Sequence, residues 1–197
     1  MGAMRMSHDF PARKGLLGIA ALIAVSATMA GCSGHSSGSS GSTGSSSADQ
    51  AMLSAWKSGS CPSNGTGWSG FASGMPLPTA KAGSTVALLP GTVTRVLLCR
   101  FDLDSSALTG SALLTDTPSV TRIRSDLNSG TAVANSACIQ GDQVIILAGD
   151  GDNVAGFSAL VGSCPYLNSP AQVVDFGKTS LAHDLTTALG PVATPTS

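Results

Sequence analysis

Arg13 and Lys14 stand in front of an apolar run from Gly15 to Ala30, and the run closes on Met29-Ala30-Gly31-Cys32. A basic start, about 7–15 apolar residues and small residues before a cut make a secretory signal. All three are present. A retained transmembrane anchor needs about 20 apolar residues, and this run is shorter and carries Ser26 and Thr28 near its end. Cleavage is therefore the expectation, and with it export to an oxidising compartment where cysteines pair. The chain beyond the cut has to fold as a domain stapled by disulfides.

Met29-Ala30-Gly31-Cys32 resembles the bacterial lipobox, with Met29 where leucine is usual. The resemblance implies a diacylglycerol thioether on Cys32 and fatty acylation (palmitate) there. One acyl chain holds a protein only marginally in a bilayer, whereas two anchor it. Ser33 to Ser47 contains only Ser, Gly, one Thr and His35, a composition with nothing to bury, so it reads as a disordered tether. The expected layout is a signal peptide over 1–31 and a lipidated cysteine with its tether over 32–48. A four-cysteine domain over 49–190 and a disordered tail over 191–197 complete it.

From Cys32 onward seven cations face ten acids, all of them aspartate, a net charge of −3 with no glutamate anywhere. That balance offers no basic stripe to nucleic acid or to anionic lipid headgroups. No nucleic-acid partner is expected.

The domain reads as α+β: one small unit with a mainly antiparallel sheet of about four to five strands, two helices and two disulfides. Ala51 to Trp56 is a short helical lead-in, and Cys61 to Pro78 is irregular, rich in Gly, Ser and Pro. Val93 to Phe101 is a strand, and Leu113-Leu114 marks a second after a Thr109-Gly110 turn. Thr117 is placed as the cap and Pro118 at the first position of a helix whose Val120, Ile123 and Leu127 share a face, with Gly130 as its stop. Val144–Ala148 and Val154–Val161 flank Gly149-Asp150-Gly151-Asp152-Asn153, a hairpin whose arms are apolar on successive positions and so covered on both faces. Gln172 to Phe176 gives a further strand. Thr179 or Ser180 then caps a last helix with Leu181, Leu185 and Leu189 on one face, ended by Gly190-Pro191.

Four cysteines remain beyond Cys32 and allow three pairings. Cys138 and Cys164 stand symmetrically about Gly151, so strands leaving that turn would set them opposite each other. The expected bonds are Cys138–Cys164 and, by remainder, Cys61–Cys99. No C-x-x-C pair exists, and no metal or cofactor is expected.

His183 is the one histidine of the domain, and Asp184 beside it points about 100° away on a helix, so it cannot orient the imidazole. An EF-hand loop starting at Asp150 would need glutamate at its twelfth position, where Val161 stands. Ser54-Ala55-Trp56-Lys57 fits S-x-x-K and Lys178-Thr179-Ser180 is close to K-T-G, but Ser125-Asp126-Leu127 lacks the asparagine of S-D-N. No catalytic residue emerges. Arg122 and Arg124 are read as solvated. Trp68 and Phe71 are either pegs that pin the irregular stretch or a speculative stacking platform for sugars.

The whole layout is similar to exported lipoproteins of actinobacteria that carry a four-cysteine domain of unknown function. The similarity rests on Met29-Ala30-Gly31-Cys32, the Ser/Gly tether, Val96-Leu97-Leu98-Cys99-Arg100 and Gly162-Ser163-Cys164. It implies a lipid-anchored place on the extracytoplasmic face of the cell membrane and carries no activity with it. A non-enzymatic module binding an envelope protein or ligand is the leading expectation. A glycan-binding module using Trp68 and Phe71 comes second, and a small hydrolase using Asp residues third.

Overall fold

Two long apolar strands form the centre of a single antiparallel sheet, and both of its faces are roofed. The computed structural model describes residues 46–65, 67–134, 141–162 and 165–190. The central pair is β5 (Asp142–Asp150) and β6 (Asn153–Val161), joined through Gly151-Asp152, with Gly151 at φ +56°. A positive φ at that position is what a two-residue hairpin turn demands and glycine supplies. The sheet order is β3-β2-β5-β6-β7-β8-β4, with β1 joining β6 separately. Here β1 is Phe71–Ser73, β2 Arg95–Phe101, β3 Leu108–Leu114, β4 Thr131–Val133, β7 Tyr166–Asn168 and β8 Val173–Asp175. Every strand pairing is antiparallel.

The α+β class is as expected, but the count is larger: eight strands and three helices among the described residues. β1, β4 and β7 are three residues each, too short for an alternating pattern to register. Thr109-Gly110 is not a turn; both residues lie inside β3, and the chain reverses earlier, between Phe101 and Leu108.

Side chains alternate across a strand, and in β2 and β5 both sets are apolar because both faces are covered. On one face Val96, Leu98, Val144, Ile146, Ala148 and Phe157 pack against α2 (Thr117–Leu127) and α3 (Leu181–Leu189). On the other, Leu97, Cys99, Phe101, Ile145 and Leu147 pack against α1 (Ser47–Ser58), Trp68 and Phe71. α1 is longer than the short lead-in expected. A capping box starts it: Ser46 Oγ accepts from the Asp49 amide and the Asp49 carboxylate accepts from the Ser46 amide. The last serines assigned to the tether therefore belong to this helix.

Trp56 fixes α1 to the sheet. Its ring is 1 % exposed, its Nε1 donates to the Gly151 carbonyl at 2.8 Å, and the Arg95 guanidinium lies 3.9 Å over it. A disulfide, Cys61–Cys99, fastens the irregular stretch after α1 to the centre of β2. Cys138 and Cys164 lie outside the described residues. The hairpin register pairs Asp150 with Asn153, which centres it between Gly151 and Asp152 and not on Gly151.

Trp68 and Phe71 are buried, 4 % and 8 % exposed, and meet edge to face with centroids 6.1 Å apart. The room for Trp68 is made by Gly156 in mid-β6. A Cβ there would stand 2.7 Å from Trp68 Cζ2 and 3.0 Å from both Leu147 Cδ2 and Phe71 Cε1. Gly156→Ala is therefore expected to cost about 1–3 kcal/mol through overpacking, readable as a lower urea midpoint with an unchanged m-value.

Candidate functional site around helix α3

The last helix is held at its C-terminal end by a positive charge from another part of the fold. Of the two expected caps, Ser180 occupies the N-cap without a side-chain bond, and Thr179 serves the first turn, its Oγ1 accepting from the Leu181 amide at 3.2 Å. The Asp126 carboxylate, from the last turn of α2, faces this N-terminus, where the Ser180 amide acts to lower its pKa. A negative group at a helix N-terminus satisfies an orphan amide and complements the dipole.

At the other end Arg100, 4 % exposed on β2, reaches beneath α3. Its Nη1 donates to the Gly190 carbonyl at 2.8 Å and its Nη2 approaches the Leu189 carbonyl at 3.5 Å. Nε stands 3.8 Å from Asp142 Oδ2. Burial pushes the Asp142 carboxyl up, and Arg100 only partly offsets this.

Between the helices lies a pair of carboxylates. Asp126 on α2 and Asp184 on α3 are each 8 % exposed. One oxygen of each, Oδ2, is buried without a hydrogen-bond partner. Arg122 Nε stands 3.8 Å from Asp184 Oδ2 on a side chain that is 57 % exposed, which is ion-pair distance and too long for a hydrogen bond. Burial raises the Asp126 carboxyl above the usual carboxylate range, the Asp184 charge raises it further, and the Ser180 amide and Arg122 oppose them without winning. A cleft of about 110 Å³ beside the pair is walled by Ser119, Arg122, Asp184 and Thr187; Asp126 is not among its walls.

The opposite flank of α3 borders an apolar groove of about 260 Å³. Leu160 and Val161 from the end of β6, Tyr166 from β7, Phe176, and Ala182 and Leu185 from α3 line it. The groove and the carboxylate pair are thus two sides of one helix.

The sequence-derived candidates fall elsewhere. Trp68 and Phe71 are core residues of the other face, so neither ring offers a stacking surface in this conformation. His183 and Ser54 are exposed helix residues. Arg124 is not simply solvated, because its Nε donates to the Leu89 carbonyl at 3.3 Å. The α2 cap is Asp116, whose Oδ1 accepts from the Ser119 amide at 2.9 Å, with Thr117 as the first helical residue; the C-cap is Asn128, ahead of Gly130. Among the described residues no three His, Cys, Asp or Glu side chains come together as a metal site. No helix of the described residues is long and apolar enough to cross a membrane. The Arg13–Cys32 stretch and nearly all of the tether lie outside them.

Asp126 and Asp184 were within reach of sequence reasoning only as helix residues. They are 58 positions apart, and nothing local says that α2 and α3 pack side by side. No protein-family model, no curated protein and no solved structure matches this chain.

Proposed function

We propose that this chain is an extracytoplasmic lipoprotein, anchored through Cys32, whose domain binds an apolar envelope ligand of the acyl-chain type in the groove between β7 and α3. The observation that carries the binding half is the groove itself. It is concave, walled by aliphatic and aromatic side chains, and Tyr166 is the one of its lining residues whose side chain carries a polar group. Small-molecule sites have this character: mostly apolar walls with few polar groups. The anchoring half rests on Met29-Ala30-Gly31-Cys32 and the Ser/Gly tether.

Ala182 gives the cleanest test, since it is exposed on α3 and lines the groove. In a soluble Cys32→Ser form of the chain from residue 32 onward, N-phenyl-1-naphthylamine is expected to brighten on binding. Ala182→Trp fills the groove and is expected to weaken that binding about tenfold or more, with the urea midpoint within about 0.5 kcal/mol of the parent's stability. Equal binding by both forms would remove the groove from the account.

A further inference from the structure

We propose that the outer edge of β3 is a self-association surface, to which a second copy of this chain adds its own β3, antiparallel, about a twofold axis at Ala112. Nothing in this pairing depends on the groove.

The two edges of the sheet differ. At one end β4 is covered: the Ser84 carbonyl accepts from the Ala132 amide at 2.9 Å, Gly83 donates to the Ala132 carbonyl at 2.7 Å, and Val86 donates to the Gly130 carbonyl at 3.0 Å. At the other end β3 pairs only with β2 among the described strands. Its start is covered, since the Leu108 amide donates to the Ser63 carbonyl at 3.1 Å and the Gly65 amide to the Ser106 carbonyl at 3.1 Å. From Thr109 to Leu114 no segment other than β2 bonds the main chain among the described residues. Alternate N–H and C=O groups of such a strand point outward and template a further strand.

Exposed edges are usually blunted by charge, proline or a bulge. Thr109-Gly110-Ser111-Ala112-Leu113-Leu114 has neither charge nor proline, and the register shift of β3 against β2 lies at the covered end, beside Phe101. Apolar surface gathers on the same edge. Leu113, 45 % exposed, and Leu103, 46 % exposed in the turn leading into β3, are the exposed large hydrophobic residues among the described ones.

Side-chain size selects the register. Ser111 and Leu113 stand opposite Cys99 and Leu97 and share the α1 face, whereas Gly110, Ala112 and Leu114 share the other. With Ala112 on the axis, Leu113 meets the partner's Ser111 and Leu114 meets the partner's Gly110. Each large side chain then faces a small one at the roughly 5 Å spacing of directly opposed residues, and the twofold axis repeats both contacts. Moving the axis to Ser111 would set Leu114 on the partner's Leu108, whose amide is already taken by Ser63. Moving it to Leu113 would shorten the ladder. A second copy suits this edge because the uncovered stretch is equally long on both sides, carries no charge to repel its twin, and fits itself large against small.

Sedimentation equilibrium of the soluble Cys32→Ser form, from about 10 μM to about 1 mM, is expected to show a monomer–dimer equilibrium. Leu113→Asp and Ser111→Lys, both at exposed positions, should each weaken the dimer about tenfold or more. Combined in one chain, they set opposite charges against each other at both symmetry-related contacts and should recover most of the loss. Amide exchange reads the same pairing without a substitution: protection within residues 110–114 should rise with protein concentration while that of β4 stays level. A monomer at every concentration, or a dimer indifferent to both single changes, overturns the inference. Weakening in the single variants with no recovery in the double overturns the register at Ala112.

Discussion

Replacing Cys61 and Cys99 together by alanine is expected to remove about 4 kcal/mol of stability. The bond closes a segment of 38 residues, and the chain-entropy relation for a loop of that size gives about 3.9 kcal/mol at room temperature. Cys99 is fully buried at the centre of β2, so the paired change also leaves a small void. A domain of this size has only about 5–15 kcal/mol in hand, and the loss is a large share of it. The effect also has a location. Residues 60–65 and 67–70 carry Trp68 and contain little regular structure, and the disulfide is their covalent hold on the sheet. Exchange in that stretch should rise more than exchange in β5 and β6. Urea unfolding of the parent and the double variant reads the total, and a change below about 1 kcal/mol would mean that α1 and Trp68 position the segment without the bond.

Trp56→Ala is expected to cost about 3–5 kcal/mol, the usual range for deleting a fully buried aromatic side chain. Three contacts go with it: the packing of α1 on Leu97 and Leu147, the Nε1 bond to Gly151, and the face offered to Arg95. Trp56→Phe keeps most of the packing and strips the bond, so it should cost only about 1–2 kcal/mol. Arg95 binds the same residue twice, through the ring and by donating from Nη2 to the Trp56 carbonyl at 2.8 Å. A double-mutant cycle between Trp56→Phe and Arg95→Ala should therefore return a positive coupling of about 0.5–1 kcal/mol. Strictly additive losses would show that Arg95 is held by the backbone carbonyl alone.

Legibility in the sequence tracks the range of the signal. The hairpin is legible because apolar runs, their length and Gly151-Asp152 all agree within twenty residues. α2 and α3 are legible from their spacing of Val120, Ile123 and Leu127 and of Leu181, Leu185 and Leu189. The α2 cap is displaced because capping is decided by which oxygen is in reach: the Asp116 carboxylate, one residue ahead of Thr117, accepts from the Ser119 amide. The three-residue strands exist only because neighbouring strands offer them an edge: β1 and β7 on the long β6, then β8 on β7 and β4 on β8. Long-range pairing also explains why the aromatics are ambiguous in sequence. Trp68 and Phe71 sit in a Gly-rich stretch that looks surface-bound until Gly156, more than eighty residues away, is seen to open a space for the indole. The groove and the carboxylate pair are illegible for the same reason. Each is assembled from elements whose adjacency is a property of the sheet order, in which β7 and β8 come after β6 and bring α3 back across the face.

Place and role both depend on what happens at Cys32, and one measurement addresses it directly. Intact-mass analysis of the protein extracted from membranes of the organism that makes it should give a chain beginning at Cys32, heavier than its amino-acid sequence by a diacylglyceryl group. A mass that retains Met29-Ala30-Gly31 with an unmodified Cys32 would contradict the account at its root.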